Sequence, residues 1–204
     1  MTTPTRHRLV EAAIRRFYRD GFRNVGIDQV LADVGISKTA FYKHFESKED
    51  LMLAALEMQN GWLQSTFRTM VRERGSTAIE QLRALFDVVE LIITSDDFHG
   101  CIFVNVSMEF PLPHEPAHIL ALQSKDAIED FVHRLAVDAC ASNPRGLAQE
   151  LCLLMEGAYV TQHVTGKENT IEIARRLAQL VIDSHCSCTT AGRPAASGSR
   201  TTSC

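Results

Sequence analysis

Val34-Gly35-Ile36-Ser37-Lys38-Thr39-Ala40-Phe41-Tyr42-Lys43-His44-Phe45-Glu46-Ser47-Lys48-Glu49-Asp50-Leu51 holds one tight turn and two helix starts. Gly35 has the residue type for a left-handed turn position, and Ile36 can plug between the helices on either side. Ser37 is an N-cap for a short third helix, predicted from Lys38 to His44. Phe41 and Phe45 stand four residues apart and should face a core. That leaves Lys38, Thr39, Tyr42, Lys43 and His44 outside. Upstream, Ile27, Val30, Leu31 and Val34 fall at i, i+3, i+4 and i+7, which predicts a second helix from Ile27 to Val34. Two short helices joined this way form a helix-turn-helix, and the second fits a major groove about 12 Å wide.

Working outward, the chain reads helical throughout. A first helix from Pro4 to Asp20 carries Leu9, Val10, Ala13, Ile14 and Phe17 on one stripe and ends at Gly21. The start Ser47-Lys48-Glu49-Asp50 resembles a capping box and opens a long fourth helix to about Arg74. Further helices are predicted over residues 77–94, 101–110, 115–141, 144–165 and 169–185, with breaks at Pro and Gly. The fold class is all-α, with roughly nine helices. Three parts are expected: residues 1–47 as the helix-turn-helix domain, 48–185 as a helical body for ligand binding and dimerisation, and 186–204 as a polar tail too poor in large apolar residues to pack.

Charge is split along the 204 residues. Residues 1–48 carry nine Lys and Arg against five Asp and Glu, while the remainder carries twelve against twenty. A basic end on an acidic body is the asymmetry of a protein that meets a polyanion at one end only. There is no apolar run long enough to span a membrane and no secretion signal, so a cytoplasmic protein with reduced thiols is expected. No pair of Cys/His pairs has zinc spacing; His185-Cys186-Ser187-Cys188 is crowded and weak as a metal motif. No metal and no cofactor are expected. No nucleophile–base pair or phosphate loop supports an enzyme.

The stretch from Gly21-Phe22 through Ile27-Asp28-Gln29-Val30 to the quoted segment closely resembles the signature of the TetR family of bacterial regulators. The resemblance is strong over about residues 6–55. It implies a transcriptional regulator, most simply a repressor, that binds a palindromic operator in double-stranded DNA as a homodimer and answers to a small-molecule effector. It implies base contacts from Ser37, Lys38 and Thr39, and phosphate contacts from Tyr42, His44 and Lys48. Lys43 suits either, and Thr5 and Arg6 are further candidates. The match departs at Gly26, where many members carry a hydroxyl that touches phosphate, and at Leu31 and Val34, which replace small residues.

For the body, the same resemblance implies a dimer made by the last two long helices. The stripes read for it are Leu147, Leu151, Leu154 and Ala158 on the first, and Ile171, Ala174, Ala178 and Val181 on the second. An apolar effector cavity is expected among residues 50–165. Its candidate lining is Trp62, Phe67, Phe86, Phe103, Met108, Phe110 and Tyr159, with Asn105, Glu109, Gln162 and His163 as polar groups. Cys101 has two readings. It packs as a small hydrophobe, or, at a helix start beside His99, it serves as a reactive thiol or redox sensor. Two rivals to the regulator reading are a ligand-independent architectural DNA protein and a thiol-dependent enzyme using Cys101.

Overall fold

A computed structural model describes residues 4–186. Among them lie nine helices: α1 (Thr5–Asp20), α2 (Ile27–Val34), α3 (Lys38–Phe41), α4 (Lys48–Glu73), α5 (Ala78–Ile93), α6 (Ile102–Glu109), α7 (Pro116–Asp138), α8 (Pro144–Thr165) and α9 (Thr170–Cys186). The expected polar tail, together with Cys188 and Cys204, falls outside the described residues apart from Cys186, which closes α9. None of the described helices is long and apolar enough to cross a membrane.

Local chemistry sets the ends of these helices. Gly35 takes φ +72° and its N–H returns to the Leu31 carbonyl, which stops α2. The Ser37 hydroxyl accepts the Ala40 N–H and starts α3. The third helix is shorter than the sequence suggests: residues 42–44 form a turn, with the His44 and Phe45 N–H groups both folding back on the Phe41 carbonyl. Ser47 caps α4 through the Asp50 N–H, and the Asp50 carboxylate reaches back to the Glu46 N–H. Thr77 and Glu80 close a full reciprocal box at the start of α5.

Two apolar cores result. The first gathers Phe17 of α1, Val30 and Val34 of α2, Phe41 and Phe45 beside α3, Leu51 and Leu56 of α4, Phe103 and Val106 of α6, and Ala117 and Ala121 of α7. The second holds Phe67 and Val71 from the far half of α4, α5, Phe131 and its neighbours on α7, α8 and α9. The first core therefore runs past residue 47 into α6 and α7, because α1 to α3 alone leave Phe17 and Phe22 uncovered. Full burial of such side chains contributes about 2–3 kcal/mol each. The long α4 is shared by both cores.

The reading head is also pinned by charge. The Arg16 guanidinium grips Asp33 with both arms, at 2.6 and 2.7 Å, joining α1 to α2. Arg8 donates to the Val34 carbonyl at 2.6 Å, satisfying the last turn of α2.

Candidate DNA interface and effector cavity

The turn at Gly35 and the cap at Ser37 present one face of α3 outward. Lys38, Thr39, Tyr42, Lys43 and His44 are all exposed there, while Phe41 and Phe45 stack inward with ring centroids 5.8 Å apart. Tyr42 is 58% exposed with its ring edge on Phe41, so its hydroxyl faces outward from a fixed ring. Lys38 pairs with Asp28 of α2 at 3.0 Å; this hydrogen bond, more than any other cause, raises the ammonium's pKa. Lys38 stays charged and must exchange Asp28 for any base or phosphate it meets. Lys48, in the first turn of α4, donates to the Arg23 carbonyl at 3.3 Å and lies 6.0 Å from the Phe17 ring. Arg6 lies exposed over the Phe45 ring at 4.9 Å, on the same side of the head, and Thr5, half-buried, opens α1.

Gly26 caps α2 with φ −87°, a conformation open to any residue, and its N–H is held by the Gln29 side chain at 2.8 Å. Leu31 and Val34, the other departures, are buried in the first core.

Between the two cores lies a cavity of about 440 Å³. Its walls include Ile14 and Tyr18 of α1, Trp62, Leu63, Phe67 and Met70 of α4, Leu91 and Ile92 of α5, and Phe98, Cys101 and Tyr159. A smaller cavity of about 110 Å³ adjoins it, sharing Leu63, Phe67, Cys101 and Tyr159 and adding Phe103, Lys125, Cys152 and Glu156. Burial pushes the phenol pKa of Tyr159 far up, so it is neutral in the cavity wall.

The structure places the residues read as lining in different surroundings. Trp62, Phe67 and Tyr159 line the larger cavity, and Phe103 only the smaller one. Phe86 is fully buried in the second core, touching neither cavity. Met108 is 77% exposed on the outer side of α6. Phe110 packs on Phe22 with ring centroids 6.5 Å apart. Asn105 is spent on the His99 carbonyl at 2.8 Å. His163 is exposed, its ring edge-on to Phe98 at 6.2 Å, and neither it nor Gln162 lines a cavity. Periodicity marks which residues are apolar on a helix but not which of two inner faces they meet. Tyr18 and Phe98 were missed because they sit on elements read as head and loop, and Leu63 because it lies between two aromatic candidates on the same helix.

The predicted dimer stripes face inward in the subunit. Leu147, Leu151, Ala158, Ile171, Ala174 and Ala178 are buried in the subunit's own second core, and Leu154 and Val181 pack against it. Leu154 and Val181 remain partly exposed, while the other six are buried.

Two straps tie α6 to the reading head. At its start, the Tyr18 hydroxyl donates to the Gly100 carbonyl at 2.7 Å and accepts the His99 N–H at 2.9 Å. Gly100 has φ +86°, and a Cβ there would lie 3.3 Å from both Asn105 Oδ1 and the His163 ring, so this crossing admits only glycine without strain. At its end, the Glu109 carboxylate accepts the N–H groups of Phe22 and Arg23 at 2.9 and 2.7 Å. The Arg23 side chain returns the contact, donating to the Glu109 carbonyl at 2.8 Å. Glu109, read from sequence as a cavity group, is thus an anchor for the loop that enters α2.

The cation beside Cys101 is also not the one the sequence suggests. Lys125 Nζ lies 3.5 Å from Sγ, whereas the His99 ring packs on Tyr18 and its Nδ1 meets the Asp97 carbonyl.

Comparison with known proteins agrees with this architecture. Residues 9–55 match the family model described as bacterial regulatory proteins, tetR family, and residues 78–178 match that of the tetracyclin repressor-like C-terminal domain. The chain is 24% identical over 170 residues to the HTH-type transcriptional regulator YjdC of Escherichia coli, covering 83% of this chain and 89% of that one. It is 30% identical over 107 residues to the HTH-type transcriptional repressor DhaR of a Mycobacterium species, covering 52% of each. Among solved structures, the TetR-family regulator SCO4454 of Streptomyces coelicolor superposes with a TM-score of 0.83 at 28% identity, over 89% of this chain and 96% of that one.

Proposed function

The chain belongs to the TetR family of DNA-binding transcriptional regulators, and we propose that it works as an effector-released repressor. In this reading a two-fold dimer holds a palindromic operator through its α3 helices, and an apolar small molecule in the larger cavity weakens that hold. The observation that carries the reading is the shared wall: Tyr18 lines the cavity and also carries the strap from α1 to Gly100. A guest that displaces Tyr18 or Cys101 moves the start of α6, and the Glu109 contacts pass that shift to the loop entering α2. The guest shifts the equilibrium only by its differential affinity for the two forms.

At the DNA, Ser37, Lys38 and Thr39 are assigned to base edges and Tyr42, His44, Lys48 and Arg6 to phosphates, with Lys43 and Thr5 in support. The Lys48 ammonium and the N-terminal amides of α4 would act together on one phosphate. A protein reading DNA works where DNA is, so the cytoplasm is its place, and no catalytic activity is assigned. Half-sites one turn apart require α3 helices roughly 34–36 Å apart.

The dimer is assigned to the outer faces of α8 and α9. Leu153, Val160 and Val164 fall at i, i+7 and i+11, and Ile173, Leu177 and Leu180 at i, i+4 and i+7; all are exposed. Gly157 lies within the α8 stripe with open space where a Cβ would stand, which allows a close helix crossing. Two such helices from each subunit would form a four-helix interface.

Selection from a library of random duplexes, repeated across salt concentrations, tests the reading. Enrichment of one palindrome, bound by a dimer with steep salt dependence, supports it. Weak binding with no enriched sequence overturns it in favour of an architectural DNA protein.

A further inference from the structure

The charged side chains that line the two cavities are already answered by protein or by solvent. In the smaller cavity Lys125 Nζ lies 3.1 Å from Glu156 Oε1, and Glu129 Oε1 takes Arg145 at 3.2 Å. Arg15 and Asp97 of the larger cavity and Asp126 of the smaller one are exposed. A charge in water needs no counter-charge from a guest. Tyr18 spends its hydroxyl on Gly100 and His99.

Two hydroxyls deeper in the lining are different. Ser124 is only 2% exposed and lines the smaller cavity. Tyr159 of α8 is half-buried and lines both cavities, its ring centroid 6.2 Å from that of Phe98. Among the described residues neither hydroxyl has a hydrogen-bond partner. Buried polar groups are ordinarily paired, so each of these calls for a partner from outside the fold. From this arrangement we propose that the adjoining cavities select uncharged, largely aromatic molecules bearing a carbonyl-type acceptor, to which the Tyr159 hydroxyl donates. The proposal rests on the larger cavity being the effector site. It adds the chemical class of the effector and the residue that selects it.

Each part of that description follows from the lining. The apolar body of the guest meets Trp62, Phe67 and Phe98 in the larger cavity, whose volume of about 440 Å³ lies in the range of small-molecule sites. Tyr159 belongs to both cavities, so the acceptor sits where they adjoin. Burial keeps the phenol neutral, and a neutral phenol donates without lending charge. An anionic guest would be desolvated beside Glu156 and Glu129. A cationic one would meet Lys125, and drawing Glu156 away to answer it would strand that ammonium. A neutral carbonyl costs far less to desolvate and satisfies a hydroxyl that an unsubstituted hydrocarbon leaves unpaired.

The test uses the full chain and two matched pairs of probes: benzophenone with diphenylmethane, and 1,3-diphenylacetone with 1,3-diphenylpropane. Within each pair the shape is nearly the same and only the ketone carries an acceptor. Equilibrium dialysis reads affinity. The fluorescence of Trp62, the only tryptophan in the chain and part of the cavity wall, reads the site. The ratio of ketone to hydrocarbon affinity is expected to fall about tenfold in Tyr159→Phe, while hydrocarbon affinity stays within about threefold. That comparison cancels the difference in hydration between the probes, and the retained hydrocarbon shows that the cavity is intact. 4-Benzoylbenzoate and (4-benzoylbenzyl)trimethylammonium are expected to bind at least about tenfold more weakly than benzophenone. A ratio unchanged by Tyr159→Phe, or a charged relative that binds as tightly as benzophenone, overturns the proposal. If ketones and hydrocarbons release operator while the ratio is unchanged, the cavity reading stands and the acceptor class falls. If the ratio falls as expected but no probe alters operator affinity, the acceptor site stands and effector release falls. Probes that leave Trp62 unperturbed and do not bind overturn both.

Discussion

The Tyr18 hydroxyl donates to the Gly100 carbonyl at 2.7 Å, joining the first helix of the reading head to the segment from which α6 begins. The same oxygen accepts the His99 N–H. Burial raises the phenol's pKa, so it remains a neutral donor through the physiological range. Tyr18→Phe keeps the ring and removes both hydrogen bonds. Leaving a carbonyl and an N–H unsatisfied in a half-buried site costs about 1–2 kcal/mol, which lowers Tm by roughly 2–8 °C in a chain of this size. The larger expected effect is on coupling. Operator affinity without effector should stay within about threefold, while effector-induced release should fall by about tenfold. Fluorescence anisotropy with labelled operator reads both, and unchanged release would remove Tyr18 from the coupling route.

The exposed face of α3 and its flanks divides by task, and the division is measurable. Thr39 has short reach and no charge, so Thr39→Ala should relax preference at one base pair, at a cost of about 1–2 kcal/mol, and leave the salt slope alone. Lys48 is a cation at a helix N-terminus. Lys48→Ala should weaken all sequences alike and reduce the slope of log affinity against log salt by about one. Tyr42→Phe should behave like a weaker Lys48→Ala, losing affinity without losing discrimination. Titrations at three salt concentrations against operator and a point-mutated operator distinguish these outcomes. A base-specific loss from Lys48→Ala would reverse the assignment.

The head was legible in the sequence because its signals are local. Gly35, Ser37, Phe41 and Phe45 lie within eleven residues, and each acts through a turn, a cap or an i, i+4 contact. The same holds for helix boundaries, with two exceptions: α3 stops at Phe41, where the His44 and Phe45 N–H groups both return to its carbonyl, and α7, read to residue 141, stops at Asp138. The body was less legible because its decisive contacts span 24 to 87 residues. Nothing local ties Glu109 to Phe22, or Lys125 to Cys101. Helices α8 and α9 each carry two apolar stripes. The sequence reading chose the inner pair, since Ala174 and Ala178 look like close-packing residues; they pack closely, but against their own subunit.

The Arg16 fork predicts a pH dependence of head stability. The hydrogen bond from Arg16 holds the Asp33 carboxyl below the usual carboxylate range, and Arg19 first, with Arg16, holds Asp20 at about 2. For a carboxylate depressed on folding, the stabilisation is complete above the unfolded pKa of about 3.9 and is lost as pH falls through the folded value. Asp33→Asn should therefore melt below the wild type at pH 6, and the gap should narrow steadily from about pH 5 downward. These groups are largely exposed, so added salt should narrow the gap as well. Thermal melts of both proteins between pH 3 and pH 7 check this, and a gap that widens in acid would contradict it.

The outer stripes of α8 and α9 make the last prediction. Leu153 is 72% exposed, Val164 74% and Leu180 61%, on helices that pack against each other. Exposed large apolar side chains repeated along two neighbouring helices seldom face water in a stable monomer. A partner copy placed by a two-fold axis would cover it with the same residues, so one substitution enters the interface twice. Leu153→Asp or Leu180→Asp should leave the subunit folded, because neither side chain belongs to the second core. Each should convert the protein to monomer at micromolar concentration, since a buried unpaired carboxylate costs several kcal/mol and occurs in both copies. The monomer should keep weak, salt-sensitive DNA binding and lose discrimination for the palindrome, which needs two heads at once. Leu151→Ala, in the buried stripe, should behave oppositely, losing about 2–5 kcal/mol of fold stability with no change in the association of what remains folded. Sedimentation velocity beside thermal melts separates the two patterns. Dimers that survive both aspartates would place the interface elsewhere.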